Sequence, residues 1–118
     1  CKANYPADKY VLIISNHGGG TRSIKSTNSS ISKDICEDVT SGGDIMYTGE
    51  ISDVLTSNES VNVMVLDACL MGSVEFAYQF RNDSSNTGFK SDYMVASPAL
   101  VRGEGLPYTT MLERIRGI

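Results

Sequence analysis

Three short apolar runs stand out along a mostly polar chain. The first, Tyr10-Val11-Leu12-Ile13-Ile14, is nearly continuous and β-branched, the pattern of a strand buried on both faces. The second covers residues 61–66, and the third, Tyr93-Met94-Val95-Ala96, ends at Ser97-Pro98. Between them the pattern changes to helical spacing. Thr48 can cap a short helix to about residue 56, with Ile51, Val54 and Leu55 on one face. A second helix is expected over 73–81, with Val74, Phe76, Ala77, Tyr78 and Phe80 as its buried stripe. Thr110-Met111-Leu112-Glu113 has the form of a capping box, so a third helix is expected to start there. Residues 21–34 are rich in Ser and Thr and read as an exposed loop. Residues 35–47 give no clean period, and Gly42-Gly43 breaks them.

The order is strand, loop, helix, strand, helix, strand, helix. Such alternation predicts an α/β fold with a mainly parallel sheet and helices over both faces. Ligands bind such sheets at the carboxyl ends of the strands. His17, Cys69 and Ser97 each lie just past the end of an expected strand, and so are expected to converge on one edge of the sheet.

The totals narrow the choice of partner. The 118 residues suffice for one core, with 41% hydrophobic and 20% charged. A net charge of −4 argues against a nucleic-acid partner, which would want a basic stripe. No apolar run approaches the roughly 20 residues that span a membrane. The chain opens on Cys1 without an initiator Met, so a processed product or a piece of a longer chain is expected. The three cysteines, Cys1, Cys36 and Cys69, cannot all pair with one another, so at least one is a free thiol, an intermolecular bridge or a nucleophile; a Cys1–Cys36 pair is left open.

The chain has a single His, so any Cys-His or Ser-His mechanism must use His17. An imidazole at the neighbouring strand end would take the thiol proton and later protonate a leaving amine. Glycine-rich backbone after His17 suits oxyanion donors, because no side chain blocks the N–H groups. A helix following Cys69 would point its positive end at the thiol. The residues also admit plainer readings. Cys69 can be a packed small hydrophobe, His17 a turn residue, and Asp67 a turn or helix cap. No His/Cys pair or cluster has zinc spacing.

Two motifs together are more specific. Asn16-His17-Gly18-Gly19-Gly20 with Leu66-Asp67-Ala68-Cys69-Leu70-Met71-Gly72 resembles the clostripain-like cysteine peptidases, of the clan that includes caspases, gingipains and legumains. The similarity continues through Ser73-Val74-Glu75-Phe76-Ala77-Tyr78, Ala96-Ser97-Pro98 and Gly103-Glu104-Gly105-Leu106-Pro107-Tyr108. It implies a caspase-like three-layer α/β/α sandwich, of which this chain is the central part. It implies Cys69 as nucleophile, His17 as general base, and the backbone N–H groups of Gly18 and Cys69 as oxyanion donors. It implies cleavage after Arg or Lys, with Asp67 and Glu104 at the primary specificity pocket; Glu104 stands where relatives are expected to carry Asp. Processing between the His and the Cys is also implied, which singles out Lys25, then Arg22 and Lys33, in the loop at 21–34. No cofactor is expected. Calcium is raised by the resemblance alone, as no EF-hand-type loop is present. The implied partners are basic peptide substrates and the remaining segments of the same domain. The implied setting is the exterior or envelope of a bacterium. The alternative is a catalytically silent caspase-like module that binds partners.

Overall fold

The computed structural model describes residues 2–19, 24–26, 29–31, 34–38, 40 and 42–117, with 24–26, 29–31, 34 and 37 described by backbone alone. In chain order the elements are β1 (Val11–Ser15), β2 (Ile24–Ser26), β3 (Ser29–Ile31), β4 (Asp34–Asp38), β5 (Asp44–Tyr47), α1 (Thr48–Val54), a 3₁₀ turn (Ser57–Glu59), β6 (Val61–Asp67), α2 (Val74–Gln79), β7 (Ser91–Ala96) and α3 (Tyr108–Arg116).

The three apolar runs become β1, β6 and β7, which pair in parallel in the order β1-β6-β7. The fold is therefore α/β around a parallel sheet, as the alternation requires. Register aligns the strand ends: Ser15 lies beside Asp67, and Leu66 beside Ala96. All three strands thus deliver their following residues to one edge.

Side chains alternate across the pleat. Leu12, Ile14, Met64, Leu66, Met94 and Ala96 face a core built with Ile35, Ile51, Met71, Phe76, Phe80 and Phe89. Phe80 and Phe89 meet edge to face, with ring centroids 5.9 Å apart. Gln79 Nε2 donates to the Thr48 carbonyl at 3.0 Å, which ties α2 to α1. The other face behaves differently from the two-faced burial expected of β1. Val11 is 58% exposed, Ile13 43%, Tyr93 72% and Val95 49%. Among the described residues of this sheet, β6 alone is buried at successive positions, over Met64–Asp67; at Asp67 the cover comes from the segment after β7, through Leu106 and Tyr108. A second helical layer is not supplied by the described residues.

The stretches without periodicity hold more structure than expected. The segment 21–34, expected as a loop, contains β2 and β3, paired antiparallel with Lys25 opposite Ser30. The unreadable stretch 35–47 is the antiparallel pair β4–β5. Its connection uses Gly42 and Gly43 at φ 88° and 82°, a left-handed backbone that glycine adopts without strain. Strands this short carry no clear apolar alternation to betray them.

The helices start and bury differently from expectation. α1 is capped at Tyr47, not Thr48, with the Tyr47 N–H donating to Glu50 Oε2 at 2.6 Å. α2 is capped by Ser73, and only Phe76 and the flanking Phe80 are buried; Val74 and Tyr78 are exposed. α3 begins at Tyr108 after Pro107, two residues before the expected capping box. Proline's preset φ starts the helix there. Among the described residues no helix is long and apolar enough to cross a membrane.

Candidate active site

The site is assembled where β1 and β6 end side by side. The parallel pairing continues one residue further, with the Asn16 N–H donating to the Asp67 carbonyl at 3.3 Å. Asn16 Oδ1 then accepts the His17 N–H at 2.6 Å, which turns the chain at the imidazole. Gly18 follows, packed on the turn that holds Cys69. A Cβ there would collide with the Cys69 carbonyl oxygen and lie 3.0 Å from Ala68 Cβ and 3.1 Å from Cys69 N. This is the physical reason for glycine beside the His: the backbone of one strand end must lie against the other.

Past β6 the chain makes a turn at Cys69-Leu70, with Leu70 at φ 59°. A left-handed leucine costs about 1–2 kcal/mol, held by the surrounding contacts. Those contacts come from the segment after β7. The Gly72 N–H donates to the Ser97 carbonyl at 2.8 Å, and the Leu70 N–H to the Ala99 carbonyl at 3.1 Å. A Cβ on Gly72 would stand 2.6 Å from Pro98 N, so here too only glycine allows the approach. One step on, the Val101 N–H donates to Cys69 Sγ at 3.3 Å, and the thiol lies 3.8 Å from the Val101 carbonyl as donor. Among the described residues the thiol's hydrogen-bond partners are these backbone groups, not the His17 imidazole.

Farther along the same segment the chain reaches Asp67. Its Oδ2 accepts from Ser15 Oγ at 3.3 Å, from the Leu106 N–H at 3.0 Å and from the Tyr108 hydroxyl. Gly105, at φ 69°, lies against the same oxygen; a Cβ there would be 2.6 Å from it. Asp67 is buried, and Oδ1 has no hydrogen-bond partner among the described residues. Burial pushes its carboxyl up, but the Tyr108, Leu106 and Ser15 donors outweigh it and hold the group below the usual carboxylate range. The Tyr108 phenol is raised in turn, by burial first and then by the carboxylate it faces.

These residues enclose a cavity of about 210 Å³, lined among others by His17, Asp67, Cys69, Arg102, Glu104 and Tyr108. The expected pair, His17 and Cys69, is thus brought to one cavity. The expected acids, Asp67 and Glu104, join them there. His17 and Glu104 are exposed, Cys69 half-buried and Asp67 buried. Ser97 reaches the same sheet edge, its carbonyl bonded to the Gly72 N–H, but it does not line this cavity, and its hydroxyl is turned back onto the Ala99 backbone. The helix expected over 73–81 starts where expected, capped by Ser73, but as α2 it is only six residues long, Val74–Gln79. Lys25 lies in β2, while Arg22 and Lys33 fall outside the described residues. Among the described residues no group of three or more His, Cys, Asp or Glu is placed to hold a metal ion.

Ser15, Val101, Arg102, Leu106 and Tyr108 were not singled out by residue type. Their signal was positional. Ser15 immediately precedes the His motif, and Leu106 and Tyr108 close the Gly-rich string at 103–108.

The family model described as the clostripain family matches residues 1–117. The chain is 46% identical over 121 residues to clostripain of Hathewaya histolytica, an alignment covering 98% of this chain and 22% of that protein. The chain therefore spans about a fifth of the length of the curated relative it matches.

Proposed function

This chain belongs to the clostripain family, and we propose that it carries the catalytic centre of a cysteine endopeptidase that cleaves after Arg or Lys. The observation that carries the reading is the shared cavity. The only imidazole in the chain and the Cys69 thiol line it together, with Gly18 packed on the Cys69 backbone.

In this reading His17 takes the Cys69 proton as sulfur attacks the carbonyl carbon of the scissile bond. The Gly18 and Cys69 N–H groups receive the developing oxyanion. Collapse of the tetrahedral intermediate breaks the C–N bond, and the imidazolium gives its proton to the departing amine. Water, deprotonated by His17, then hydrolyses the thioester and restores the thiol.

The acids supply the specificity. Asp67 is buried, and its hydrogen-bond donors favour the ionised form. A substrate guanidinium or ammonium in the cavity would pair with that negative charge, with Glu104 at the exposed side adding a second charge. Self-cleavage at Lys25 belongs to the same proposal. Because β2 is paired with β3, that bond would have to leave the hairpin before entering the cavity. An export or envelope location in a bacterium rests on resemblance to the family.

The test is active-site labelling in the complete polypeptide that carries this sequence. A chloromethyl ketone with Arg or Lys at its reactive end is expected to modify Cys69 stoichiometrically, and denaturation to abolish this. Equal labelling of Cys36 would sink the reading, as would labelling without turnover of any peptide, which would favour a silent binding module. Fluorogenic peptides ending in Arg, Lys or Leu then read the specificity.

A further inference from the structure

Oδ2 and Oδ1 of Asp67 have opposite surroundings. Three donors from three parts of the chain converge on Oδ2: Ser15 from the end of β1, the Leu106 backbone from the loop, and Tyr108 from the start of α3. A carboxylate oxygen has two lone pairs, so three donors leave it no room for a fourth. Gly105 closes the same side, its backbone too near for a side chain. Oδ1 is left without a partner among the described residues.

We propose that Tyr108 is a positioning residue for the specificity carboxylate: with Ser15 and the Leu106 N–H it fixes Asp67 through Oδ2, and so sets the orientation of the carboxylate on the cavity that would receive the substrate's basic side chain. The proposal rests on the reading of Asp67 given above and deepens it. Two consequences follow from the chemistry. With three donors already on Oδ2, the two-pronged pairing that guanidinium makes with a free carboxylate is disfavoured at Asp67. The hydroxyl also favours the ionised form of Asp67, as one of three donors that together offset the effect of burial. Other charged or titratable groups face the same cavity: His17 from the end of β1, Cys69 from the turn after β6, and Arg102 and Glu104 from the loop.

The experiment compares the complete protein with its Tyr108→Phe variant on three readouts. The first is kcat and KM for peptides ending in Arg, Lys and Leu. The second is the pH profile of kcat/KM on the basic peptides. The third is the rate at which iodoacetamide, a small uncharged reagent, alkylates Cys69. Tyr108→Phe is expected to lower kcat/KM on Arg and Lys peptides about tenfold or more, mainly through KM. It is expected to move the acid limb of that profile to higher pH. Alkylation should stay within about twofold of the parent, since the cysteine is not touched. Ser15→Ala removes a longer bond to the same oxygen, and should shift the acid limb the same way by less.

A parent enzyme that cleaves Leu peptides as well as basic ones would overturn the specificity reading itself. A parent that prefers basic peptides, with variants that keep both the preference and the acid limb, would overturn the positioning role. So would parallel loss of turnover and alkylation in both variants, which would mark Tyr108 and Ser15 as supports of the fold alone.

Discussion

Gly18 and Cys69 are in backbone contact: any Cβ at position 18 would strike the Cys69 carbonyl oxygen and crowd Cys69 N at 3.1 Å. Two loops separated by some fifty residues of chain are thereby held at the closest spacing their backbones allow, and the imidazole is carried on one and the thiol on the other.

Gly18→Ala is accordingly expected to disable the site with little effect on the core. The obstacle is backbone rather than the end of a flexible side chain, so one loop must move. If the Gly18 N–H serves the oxyanion, kcat should fall about 100-fold or more. Steady-state kinetics beside near-native circular dichroism checks this; unchanged kcat would show that the loops yield freely.

Gly105→Ala tests the other contact. The position has φ 69°, and a methyl group would stand 2.6 Å from Asp67 Oδ2. The left-handed backbone alone costs about 1–2 kcal/mol for a residue with a Cβ. Displacement of the carboxylate adds to it. Loss of kcat/KM on basic peptides by about tenfold or more is expected, together with a lower melting temperature.

The two described thiols should react very differently. Cys36 packs against the core, and burial pushes its thiol up, so little thiolate forms at neutral pH. Brief iodoacetamide treatment followed by peptide mass mapping should find Cys69 modified and Cys36 spared. Cys36→Ala should leave turnover within about twofold, since the side chain is not on the cavity.

Phe89→Ala should destabilise the fold without entering the chemistry. Phe89 is 2% exposed and packs edge to face on Phe80. Truncating such a side chain costs about 3–5 kcal/mol. A shift in denaturation midpoint of matching size checks it, and a cost below about 1 kcal/mol would mean the pair is not a packing centre.

Asp67 also makes stability depend on pH. Its carboxyl lies below the usual range when folded, because the Tyr108, Leu106 and Ser15 donors outweigh burial. The ionised form is thus favoured by folding. Its contribution is complete above the unfolded value, about pH 4, and is lost as pH falls through the lower folded value. Melting temperatures of the parent and of Asp67→Asn, measured from neutral to acid pH, should converge as the pH drops below about 4. A constant gap across that range would show that the carboxylate is not held ionised by these donors.

Much of this was legible in the residues because it is local. The runs at 10–14, 61–66 and 93–96 are apolar and β-branched, and they became β1, β6 and β7. The pairs β2–β3 and β4–β5 were not legible. Their strands are only three to five residues long, too short for a periodic pattern to stand out; in β4–β5 the buried Ile35 and the half-buried Cys36 and Met46 follow no strict alternation in the sequence. The stripe expected on α2 was also misjudged: Val74, Ala77 and Tyr78 are apolar, yet only the Phe76 side of the helix meets other chain. Apolar spacing shows which side chains a helix has, not which side finds a neighbour.

The same division applies to the site. Sequence alone determined that the single His and Cys69 each follow a strand, in motifs that resemble one family, and that two acids accompany them. A parallel sheet aligns strand ends, so their meeting at one edge followed from local pattern plus topology. Tertiary structure alone decided the rest. It assigned the Cys69 thiol to the Val101 backbone, turned Ser97 away, and set Ser15, Leu106 and Tyr108 on one oxygen of Asp67. The partners of Cys69 and of Asp67 lie 32 to 52 positions away in the chain, and no periodicity connects them. They are chosen by which backbone groups come to rest beside which side chains once the segment after β7 packs along the turn at Cys69.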